Sequence, residues 1–171
     1  LIYLKSIKVY FYTGLIFVLI LGTLAHFFYE WSGSCILVGL FTPIDESTWE
    51  HMKLIFFPML LYSIFPILKF YNCRSELASG LFTGIIVGTF LIPVLFYTYS
   101  GILGYNLLAL DIATFVISVL VAFYVARKIT VSGILKKYAW VCIVLVAVLG
   151  ICFLIFTIRK PELGIFSVKG V

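Results

Sequence analysis

Apolar residues fill long stretches of this chain, and the stretches share one length. Runs of about 20 residues recur near 8–29, 49–70, 75–97, 106–126 and 138–158, each enough for a helix to cross roughly 30 Å of hydrocarbon. None alternates apolar and polar positions at period two, as the strands of a membrane barrel do. Backbone polar groups in lipid must be paired within their own segment. The pattern therefore predicts an all-α membrane protein: a bundle of five transmembrane helices forming a single integral domain over 1–171. The first run has a basic start at Lys5 and Lys8, but it is too long for a secretion signal and no small-residue cleavage site follows, so it reads as a retained helix.

Smaller irregularities refine this picture. The connection at 32–44 is mostly apolar (Cys35-Ile36-Leu37-Val38-Gly39-Leu40-Phe41) yet too short to span, so an interfacial or a re-entrant segment is expected between the first two helices. Gly80, Gly84 and Gly88 make a small-residue ridge suited to close helix packing, either within the bundle or at the seam of a homodimer. Pro58, Pro66 and Pro93 are tolerable kink sites in membrane helices, and Trp31, Trp49 and Trp140 mark the interfaces. Two polar stripes stand out: Thr23, His26 and Glu30 in the first run, and Asp111, Thr114 and Ser118 in the fourth. Asp111 would lie about six residues, or roughly 9 Å, inside its span. Ionisable groups in a span are costly, so both stripes should face the bundle interior.

Composition agrees. The chain is 64% hydrophobic and 11% charged, against about 25% charged in soluble domains. Cys35, Cys73, Cys142 and Cys152 show neither metal-type spacing nor a disulfide framework. With the N-terminus inside, Lys5, Lys8, Lys69, Arg74, Arg127, Lys128, Lys136 and Lys137 fall on the cytoplasmic face, and Lys53, Arg159, Lys160 and Lys169 outside. That bias satisfies the positive-inside rule. The basic balance thus points to membrane lipid as the partner and away from nucleic acid.

One stretch breaks the apolar pattern. Pro43-Ile44-Asp45-Glu46-Ser47-Thr48-Trp49-Glu50-His51-Met52-Lys53 packs three acids, a histidine and a lysine between positions 45 and 53, at the outer end of the second span. Ser47-Thr48-Trp49-Glu50 fits a capping box, in which Ser47 accepts from a first-turn amide and Glu50 reaches back to the Ser47 amide. Asp45, Glu46 and Glu50 also suit the positive end of a helix dipole, and Lys53 can pair with Glu50 or Glu46.

Capping leaves charge unexplained. Glu30, Asp45, Glu46, Glu50 and Asp111 share the outer layer with His26, His51 and Lys53, and crowded carboxylates take up protons or bind a cation. His26, Glu30, Glu46 and His51 are the candidate metal ligands. Mixed imidazole and carboxylate donors suit a divalent zinc, manganese or iron ion. Glu50 and Asp111 are the candidate catalytic acids or bases.

The stretches His26-Phe27-Phe28-Tyr29-Glu30-Trp31-Ser32-Gly33 and Pro43 to Leu54, followed by Phe57-Pro58, resemble a family of small bacterial multi-span membrane proteins, domain of unknown function 6512, seen chiefly in Firmicutes. The resemblance covers most of the chain, and Glu-Ser-Thr-Trp-Glu-His-Met-Lys is its specific string. Asp45 stands where that family usually has asparagine. The family name implies no activity. Three functions remain open: a metal-dependent hydrolase of a lipid or lipid-linked substrate, a small proton- or ion-coupled carrier, and a non-catalytic bundle whose charged stretch only caps a helix.

Overall fold

The computed structural model describes residues 2–167; Lys169, counted above on the outer side, lies outside them. Five long helices, each apolar and long enough to cross a membrane, make up an all-α bundle. They are α1 (Ile2–Trp31), α3 (Thr48–Lys69), α4 (Arg74–Leu103), α5 (Leu108–Ser132) and α6 (Ala139–Ile158), with a single turn, α2 (Ile36–Gly39), between the first two. This is a multi-pass membrane protein.

Helix ends follow local chemistry more than the apolar runs do. Ser47, with extended backbone, caps α3 by accepting from the Glu50 amide. α4 and α5 run six residues beyond the expected ends, until Gly104 (φ +79°) and Gly133 (φ +63°) take the left-handed conformation that stops a helix. Because α5 starts only at Leu108, Asp111 belongs to its first turn and sits nearer the helix end than the expected 9 Å. The helices continue through Pro58, Pro66 and Pro93.

α3 is central. Met52, Ile55, Phe56 and Met59 are fully buried, and it packs against α1, α4 and α6. The glycine ridge of α4 is used within the chain. A Cβ added at Gly84 would stand 2.6 Å from the Ala122 carbonyl oxygen, and one at Gly88 2.6 Å from Ala122 Cβ, so α5 lies directly on the ridge. Thr114 and Ser118 are buried as expected, whereas Thr23 and Glu30 are exposed, so of the α1 stripe only His26 turns inward.

Trp31 and Trp140 are exposed, as interfacial tryptophans should be, but Trp49 is buried. After α6 the chain folds back over the start of α3, and Trp49 packs on Phe153 and Phe166 with centroid distances of 4.7 and 4.8 Å. The 32–44 connection fits the interfacial alternative. α2 is about 6 Å long, Ile36, Leu37 and Phe41 point outward, and the segment is anchored from beneath by Lys53.

Candidate metal centre

Alternate connectivity brings the end of α1, the start of α3, the end of α4 and the start of α5 to one end of the bundle. There His26, Glu46 and His51 converge, each offering one donor atom within 4.8 Å of the other two. His26 reaches inward from α1 and His51 from the first turn of α3. Glu46 comes from the bend before α3, free of helical periodicity, and its largely exposed carboxylate turns one oxygen toward each ring. His26 Nε2 is 3.6 Å from Glu46 Oε1 and His51 Nε2 is 3.3 Å from Glu46 Oε2, with the ring centroids 5.3 Å apart.

These spacings are informative. A direct charge-assisted hydrogen bond closes to about 2.7–2.9 Å. Two ligands each about 2.0 Å from a tetrahedral ion stand roughly 3.3 Å apart. His51 Nδ1 lies 2.9 Å from the Ser47 carbonyl oxygen, which can only accept, so Nδ1 carries a proton and Nε2 is the nitrogen turned toward the carboxylate. Nε2 meets the carboxylate through a proton when the ring is protonated, and is free to bind a cation when it is not. Such a carbonyl bond on the far ring nitrogen is the usual way a ligating histidine is oriented. Contact with His51 holds the Glu46 carboxyl below the usual carboxylate value against its partial burial, with the His26 charge adding to the effect and Asp45 opposing it.

Asp111, in the first turn of α5, lies at the same end of the bundle. The Tyr99 hydroxyl, near the end of α4, donates to Asp111 Oδ1, and Asp111 lies within electrostatic reach of His51. Glu30 does not join. Although it follows His26 by four positions, it lies about 6 Å further along the helix, in the last turn, where its side chain is exposed.

Glu50 also stands apart, in a different polar centre. It and Lys53 are both fully buried and pair at 2.7 Å. Lys53 Nζ also donates to the Gly39 and Thr42 carbonyls and to Thr157 Oγ1, at 2.9, 3.4 and 2.6 Å. Glu50 Oε2 accepts from the Ile44 amide at 3.0 Å. The capping box is therefore only half formed. Ser47 accepts from the Glu50 amide, but the Ser47 amide donates to Asp45 Oδ1, leaving the Glu50 carboxylate to bind Lys53. Asp45 in turn pairs with Lys160 from beyond α6. Burial raises the Asp45 pKa, but Lys160 and Ser47 outweigh it and hold the carboxyl below its ordinary value. Lys53 as counter-ion to Glu50 was legible from spacing. Thr157, Tyr99 and Lys160 were not, since each meets its partner from a separate helix or segment.

No curated protein and no solved structure matches the chain. A family model does match, over residues 2–170, and the chain accordingly belongs to the family of unknown function DUF6512.

Proposed function

We propose that His26, Glu46 and His51 hold a divalent transition metal, most simply zinc, at the external headgroup layer of the bacterial plasma membrane, and that the centre hydrolyses a lipid or lipid-linked substrate. The observation that carries the reading is the pair of imidazole–carboxylate spacings, 3.3 and 3.6 Å, with His51 oriented by the Ser47 carbonyl. Two histidines and one carboxylate are the donor set of hydrolytic zinc sites, whose fourth position stays open for water or substrate. An ion there polarises a phosphoryl or carbonyl oxygen and makes water a nucleophile near neutral pH. Exposed Trp31, Leu37 and Phe41 around this end of the bundle suit the interfacial depth at which lipid ester and phosphoryl groups lie. The excess of lysine and arginine at the other end supports a cytoplasmic N-terminus.

Elemental analysis of purified protein, stripped with chelator and reloaded, tests the site. One equivalent of zinc, manganese or iron is expected. Affinity should fall more than about 100-fold for His26→Ala, His51→Ala and Glu46→Gln, beyond the 10- to 100-fold typical of outer-shell losses, while Glu30→Gln should bind as wild type. Absence of a stoichiometric metal, or a Glu46→Gln protein that binds normally, would overturn the proposal.

A further inference from the structure

The geometry points to a proton-handling pair at the metal centre, in which Asp111 is the base and Tyr99 the positioning residue that aims it; this rests on the metal-site reading above. Tyr99 and Asp111 lie on either side of the turn between α4 and α5, and the tyrosine hydroxyl donates to Oδ1 of the half-buried carboxylate. That bond fixes one oxygen and leaves Oδ2 to accept. A carboxylate in the first turn of α5 could simply answer the helix dipole, but that role asks for no hydroxyl from another helix. The titratable groups around the centre come from every neighbouring element: His26 from α1, Asp45 and Glu46 from the bend before α3, His51 from α3 and Tyr99 from α4. Glu46 is engaged with both histidines and Asp45 with Lys160, so Asp111 is the carboxylate left to move a proton.

The step balances without a further reactant. Asp111 Oδ2 takes a proton from a water in the open fourth position. The water's O–H bond breaks, and its electron pair stays on the oxygen, which attacks the phosphorus or carbonyl carbon of the substrate. The bond to the leaving oxygen then breaks, and that oxygen receives the proton from Asp111. Tyr99 keeps its own proton throughout and only holds the carboxylate.

Cobalt(II) loaded into the full chain in detergent micelles provides the readout, because its visible d–d bands follow ionisation of a coordinated water. Asp111→Asn removes a nearby negative charge and should lower the midpoint of the spectral pH titration, raising the acid constant about tenfold. Tyr99→Phe strips a donor from the carboxylate, leaves its negative charge less compensated beside the centre, and should move the midpoint the opposite way, about threefold. Asp111→Glu, which keeps the charge, should stay within about twofold of wild type. Opposite shifts in the first two variants are not what a purely structural role produces. One equivalent of cobalt with the same midpoint in all four proteins overturns the pair and leaves the metal site standing. Failure of the wild type to bind stoichiometric cobalt removes both.

Discussion

Lys53→Met keeps an unbranched stem in the centre of the bundle but removes the ammonium that four acceptors share. In the native protein Nζ meets the Gly39 carbonyl at 2.9 Å, Glu50 Oε2 at 2.7 Å, Thr157 Oγ1 at 2.6 Å and the Thr42 carbonyl at 3.4 Å. After the substitution the fully buried Glu50 keeps the Ile44 amide as donor to Oε2, while its Oε1 already has no partner among the described residues. Breaking a buried pair from one side typically costs about 3–5 kcal/mol, because an uncompensated charge remains. The orphaned Gly39 and Thr42 carbonyls add to this. Lys53→Met should therefore lose at least about 3 kcal/mol, and Glu50→Leu a similar amount. The double variant, with neither charge, should recover about 2 kcal/mol or more of the summed loss, as interacting neighbours do in a double-mutant cycle. Reversible unfolding in mixed micelles measures each value, with fluorescence of buried Trp49 as one signal and proteolysis within residues 36–42 as a second readout for release of that segment. Single variants each costing under about 1 kcal/mol, with additive effects in the double, would refute the idea that this pair ties α3 and α6 to the connection.

Two further outcomes follow from the packing and the electrostatics. Gly84→Ala brings a Cβ to 2.6 Å from the Ala122 carbonyl oxygen, and the overlap should cost about 1–3 kcal/mol; Gly101→Ala on the same helix, with nothing within 4 Å, should be neutral or slightly stabilising in the same unfolding assay. The Asp45 carboxyl is held below its ordinary 3.8, so its stabilisation is present above that value and lost as pH falls through the lower folded pKa. Wild type should exceed Asp45→Asn by no more than about 1 kcal/mol at pH 6, and the two should converge on acidification. A gap that widened toward low pH would contradict the Asp45–Lys160 pairing.

The sequence by itself determined the five spans, because crossing a bilayer depends on an unbroken apolar run and on backbone bonds made within that run, both local properties. Ser47 as helix cap, the close-packing use of Gly80, Gly84 and Gly88, and the burial of Thr114 and Ser118 were legible for similar reasons: each depends on residue type and spacing along one helix. Membership of the metal cluster was decided by tertiary structure. His26 and Glu30 share a helical face, but only His26 lies at the depth where α3 is its neighbour, and Glu46 enters from a bend whose direction no periodicity encodes. Spacing allowed Lys53 to pair with either Glu50 or Glu46. The choice fell to burial, since an ammonium inside the bundle needs acceptors on several sides, and Gly39, Thr42 and Thr157 supply them only after the connection and α6 have closed around it. Trp49 illustrates the same division, its interfacial position set by the run and its burial set by a segment more than a hundred residues away folding back onto it.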